Sequence, residues 1–188
     1  ANSQELRNGF GRRAPAFATG EERNRLTDLR VMEVEIKPVR ILWVDITDPK
    51  TGEQSREQVW YMVYRCISRP VAGRVDDSDT KPVNVTDAPP RPVMFIPEFE
   101  LSVSESWEAA IPTETHFDQI LPEAVATIRK IEERPGITLF NSVNIVQEFP
   151  DPIAADAPPE EQKWLYGVVT WTGVDRTTDF FKVTMRGF

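Results

Sequence analysis

Thirty acidic against 22 basic residues leave this 188-residue chain at a formal charge of −8, an acidic body that repels phosphate backbones and excludes general nucleic-acid binding. A single cysteine excludes an intramolecular disulfide, and no run approaches the roughly 20 apolar residues that a membrane-spanning helix needs. One domain is the simplest organisation at this length, and 16 prolines against 9 glycines suit strands and stiff loops better than a helix bundle.

Residues 1–30 carry six Arg against four acids, and residues 1–28 show no sustained apolar period, so the latter read as a flexible or surface-hugging arm ahead of a single β-rich domain over 29–188. Met32, Val34 and Ile36 alternate with Glu33 and Glu35, the pattern of a half-buried strand with a charged outer face. Pro38 interrupts that run, and Val39 to Ile46 resumes it. Asp48-Pro49 and Thr51-Gly52 then carry turn chemistry before the strong run Val59 to Ile67, which makes residues 39–67 a β-hairpin. Residues 70–92, rich in Pro and Asp, read as an exposed connection containing an Asn84-Val85-Thr86 sequon.

Val93 to Ser104 alternates again, weakened by Pro97. Phe117, Ile120, Leu121, Val125, Ile128 and Ile131 then recur at helical spacing, which predicts one helix over about 118–133 with Asp118 as N-cap and Pro135-Gly136 as its stop. Ile137 to Val146 reads as a strand, 149–162 as an acidic loop, and Lys163 to Thr172 with Thr178 to Arg186 as a closing hairpin. About seven strands and one helix predict a mainly β fold: an immunoglobulin-like antiparallel sandwich with the helix as crossover. The alternative is a single curved antiparallel sheet packed on that helix.

No catalytic residue, metal site or cofactor site emerges from the motifs. The chain lacks G-x-S-x-G, a phosphate-cradling glycine loop, H-E-x-x-H and paired CxxC. His116 is the sole histidine and sits in the polar run ahead of the helix, where capping or surface exposure accounts for it. Glu98 and Glu100, on one strand face, are the best acid pair for a hydrolase, with a solvated face as the plainer account. Asp175 to Asp179 could offer oxygens to Ca²⁺, but Asp and Thr in a turn more simply bond their own backbone. Cys66 shares a strand face with Trp60, Met62 and Tyr64 and reads as a small buried hydrophobe.

Alternation sets Trp60 and Trp171 in the core and leaves Trp43, Trp107 and Trp164 as candidates for an exposed ligand-binding surface. The run Val59-Trp60-Tyr61-Met62-Val63-Tyr64-Arg65, together with Gly167-Val168-Val169-Thr170-Trp171-Thr172-Gly173-Val174-Asp175 and Thr178-Asp179-Phe180-Phe181, resembles an uncharacterised conserved family of planctomycete proteins. That resemblance implies an exported or envelope-associated bacterial protein with no established activity, and it carries over no functional residue. The functional expectation is a non-enzymatic, extracytoplasmic (secreted, periplasmic or envelope-associated) sandwich whose partner is a protein or envelope component. Its rivals are a carbohydrate-binding module using exposed Trp and a hydrolase with a strand-borne carboxylate pair.

Overall fold

The computed structural model describes residues 9–19, 22, 29–48, 50–70 and 93–188. In chain order the first strands are β1 (Arg12–Ala14), β2 (Val31–Ile36), β3 (Arg40–Thr47), β4 (Gln54–Arg69), β5 (Met94–Phe95), β6 (Glu98–Ser104) and β7 (Glu114–Phe117). The helix α1 (Pro122–Glu132) follows, then β8 (Leu139–Phe140), β9 (Gln147–Glu148), β10 (Leu165–Trp171) and β11 (Phe180–Arg186). The chain is mainly β, with one described α-helix and several antiparallel pairings.

β4 organises the larger sheet because its apolar run Val59 to Tyr64, all β-branched or aromatic except Met62, suits a strand buried on both faces. Along one edge it carries β3 beside its first half and β2 beside its second, in registers Ile41↔Trp60 and Val34↔Cys66. The Lys37 to Val39 link separates these two strands: Pro38 offers no N–H, and Lys37 N–H donates to the Val63 carbonyl at 2.9 Å. β10 pairs with the other edge of β4, short β8 lies parallel beyond it, and β1 extends the sheet outside β2. The smaller sheet has the order β11-β6-β7, and β5 pairs with β9.

Two cores follow from the period-two alternation of β4. Trp60, Met62, Tyr64 and Cys66 pack with Phe99, Leu101, Phe181 and Val183, joining the larger sheet to the smaller one. Val59, Tyr61 and Val63 face the other way, onto Ala124, Val125 and Ile128 of α1. The layers are therefore helix, larger sheet, smaller sheet, and in chain order α1 bridges β7 of one sheet and β8 of the other.

Several expectations are corrected. β10 and β11 do not form a closing hairpin: β10 pairs with β4 and β8, whereas β11 pairs with β6. The Gly173 to Thr177 segment thus crosses between layers, with buried Val174 inserted in the inter-sheet core. The helix begins at Pro122 after Leu121, which makes no side-chain cap bond; Asp118 instead accepts a hydrogen bond from Ser142. Phe117 belongs to β7, and Ile120 and Ile131 are exposed. The strand expected over 137–146 is confined to Leu139–Phe140, because Asn141 Oδ1 accepts from the backbone N–H groups of Val143 and Asn144 and bends the chain. The charged face of β2 is not solvated either: Glu33 and Glu35 are only 3% and 6% exposed. The connection expected over 70–92, with its sequon, lies outside the described residues from 71 onward.

Candidate functional site

Where the two sheets diverge, a cavity of about 710 Å³ opens between the β11 strand and the link joining β2 to β3. Met62 forms its floor, Ile36 and Val39 one wall, and Phe181 and Val183 the other. Trp107 stands at its mouth, 75% exposed, with its ring edge-on to Phe180 at 5.3 Å. A large ring left this open is unusual for a side chain whose burial would contribute roughly 2 kcal/mol or more. The charged residues of the lining are Arg12, Lys37 and Lys182, with no carboxylate among them.

The three tryptophans singled out in the sequence do not converge. Trp107 lines this groove. Trp43 is 53% exposed on β3, on the same side as Ile41 and its cross-strand neighbour Trp60, so an apolar strip continues outward along β3. Trp164 is half-buried, and its ring is covered by the guanidinium of Arg65 at 4.2 Å, with that of Arg69 at 5.6 Å. Arg65 also stacks on Phe10 at 4.8 Å, which pins the N-terminal segment to the sheet.

The remaining candidates have local partners. Glu100 accepts from Arg186 at 3.2 Å and from Ser102 at 3.1 Å, and Glu98 is exposed beside it, away from the inter-sheet core. His116 lies within β7, its Nε2 3.1 Å from Glu114. Asp175 Oδ1 accepts from both the backbone N–H and the hydroxyl of Thr177 at 2.7 Å, and those bonds hold its carboxyl below the ordinary value. Cys66 is buried, and burial pushes its thiol up to about 12. Among the described residues no three His, Cys, Asp or Glu side chains gather as a metal-binding group, and no described helix is long and apolar enough to cross a membrane.

On the opposite face of the larger sheet the charges are arranged in closed clusters. Glu33 meets Arg69 and Arg13, each at 2.8 Å, and Glu35 meets Arg65 Nε at 2.6 Å. Arg69 Nη1 also donates to the Ile153 carbonyl and to Gln162, which ties the acidic 149–162 loop down. Glu132, at the end of α1, accepts from Lys37 at 2.9 Å, Arg40 at 2.6 Å and the Tyr61 hydroxyl at 3.2 Å. Burial alone would raise the Glu33 and Glu132 carboxyls, but these cations hold both below the ordinary value.

Sequence reasoning did not find Phe180, Lys182, Met62 or Arg12 as groove residues. The available signal was Pro38, which splits two strand runs and so leaves a step in the sheet where a cavity can form. Set against family models, curated proteins and solved structures, the chain finds no match in any of the three.

Proposed function

We propose that this chain is a non-enzymatic binding domain, an immunoglobulin-like sandwich acting outside the cytoplasm, which holds a protein or cell-envelope component in its inter-sheet groove. The kinship with the planctomycete family, which supplies the compartment, is part of the same proposal. The observation that carries the reading is the apolar cavity of about 710 Å³ with Trp107 exposed at its mouth. Cavities of this size and lining are the usual location of ligand sites. A second reading is a carbohydrate platform, favoured by the exposed rings of Trp107 and Trp43.

The test is binding of the intact chain to a displayed library of random twelve-residue peptides and to a glycan array. Trp107→Ala, shown to be folded by circular dichroism, should weaken the selected peptides at least tenfold, since aromatic anchors at a site carry about 2 kcal/mol or more. Peptide binding that is indifferent to Trp107→Ala removes the groove from the function. Glycan binding without peptide binding hands the site to the second reading.

A further inference from the structure

We propose that the groove receives an extended acidic segment of another protein, which adds as a further strand to the open edge of β11; this rests on the binding-domain reading above. Four consecutive residues, Phe180, Phe181, Lys182 and Val183, line the cavity. Successive side chains of a strand point to opposite faces, so a cavity touched by four residues in a row reaches the edge of the strand as well as its inner face, where Phe181 and Val183 form a wall.

That edge is open. β11 pairs with β6 on one side, and among the described residues no backbone N–H or carbonyl of residues 180–186 bonds to anything outside that pairing. Its seven residues span roughly 23 Å of ladder that no other described strand pairs. An open ladder beside an apolar wall supplies both halves of strand-addition recognition: main-chain hydrogen bonds hold the peptide, and alternate side chains enter the pocket beside it. Met62, Ile36 and Val39 are placed to receive those side chains.

Charge selects the partner's composition. Lys37 is engaged by Glu132, which leaves Arg12 and Lys182 as lining cations that make no ion pair among the described residues. They stand on a chain whose formal charge is −8, so the groove is a local positive exception. A lysine on an edge strand also discourages edge-to-edge aggregation. That role does not account for an apolar cavity running along the same edge, or for Arg12 across from it.

The peptides selected on the intact chain provide the probe. Those enriched should alternate apolar with acidic residues. N-methylation at one alternating set of peptide positions should abolish binding, while the other set is tolerated. Lys182→Glu and Arg12→Glu should each weaken binding roughly three- to tenfold at low salt, and less at 1 M salt. Hydrogen exchange of the β11 amides should be measurable in the free chain and slow at least tenfold when peptide is bound. Insensitivity to N-methylation with sensitivity to Trp107→Ala retained would overturn strand addition while leaving the groove as the site. Loss of both sensitivities would overturn the two readings together. β11 amides already fully protected in the free chain would also overturn it, because the edge would then be occupied. Enrichment of no peptide, with uptake of an anionic amphiphile such as dodecyl phosphate, would assign the groove to a small molecule.

Discussion

Tyr61 and Tyr64 stand three residues apart on β4 and point to opposite sides of the larger sheet, one toward α1 and the other toward the smaller sheet. The Tyr61 hydroxyl donates to Glu132, inside a cluster that also holds Lys37 and Arg40. The Tyr64 hydroxyl has no partner among the described residues, and its ring packs on Phe99 at 4.8 Å and Phe188 at 5.8 Å. The indole N–H groups of Trp60 and Trp171, in the same aromatic core, are also buried without partners among the described residues. On the helix side polar groups hold the layers together. On the inter-sheet side they come with rings that are there for their apolar area, and the groove opens where those rings stop meeting.

The largest test of this contrast is Glu132→Gln. It leaves Lys37 and Arg40 without their counter-charge at a site where the carboxylate is only 5% exposed, and the expected loss is about 3 kcal/mol in urea unfolding. A loss under about 0.5 kcal/mol would mean that the cluster behaves as an ordinary solvated surface pair. The same cluster makes stability depend on acid. The folded carboxyls of Glu33 and Glu132 lie below their ordinary value of 4.5, so their contribution is complete above that value. It is lost as pH falls from about 4.5 through the lower folded values. The urea midpoint should drop steeply in that window, and the drop should be shallower in Glu132→Gln.

The sequence showed these two sides unequally. Apolar alternation in β2, β3, β4, β6 and β10 was legible because period two fixes which residues share a face. Partnership was legible only where a short turn joins the strands, as in the β3–β4 hairpin, and not at long range. Thr178 to Arg186 reads as a strand in either sheet, and short turn-like spacing favoured a hairpin with β10; long-range packing through Val174 and Phe181 decided for β6. Glu33 and Glu35 looked solvated because a carboxylate facing solvent and one covered by Arg65, Arg69 and Trp164 give the same alternation. Of the three tryptophans singled out as candidates for exposure, Trp43 and Trp107 are exposed, whereas Trp164 is covered by Arg65 and Arg69, arginines far from it in the chain. The groove itself arises from the gap between two sheets, and Pro38 marks only the step in one of them.

A smaller effect is expected from Gly167→Ala on the inter-sheet side. Gly167 is the cross-strand partner of Tyr64, whose ring lies so close over it that an added Cβ would sit 2.2 Å from Cζ. The ring must move, at a cost of about 2 kcal/mol. Combining the change with Tyr64→Leu, which removes the ring, should recover part of that cost. Full additivity of the two changes in a double-mutant cycle would show that Gly167 is required for some other reason.

The smallest and most discriminating pair is Tyr61→Phe against Tyr64→Phe, the same deletion of one oxygen on the two faces of one strand. Removing the Tyr61 hydroxyl takes a donor from a buried carboxylate and should cost about 1.5 kcal/mol. Removing the Tyr64 hydroxyl deletes a buried polar atom that no described residue satisfies, so stability should stay level or rise by up to about 1 kcal/mol. The two variants preserve ring packing, which leaves the hydrogen bond as the difference between them. Equal losses in thermal and urea unfolding would sink the distinction between the faces. It would mean that the Tyr64 hydroxyl is satisfied in solution, by water entering from the side where the sheets part.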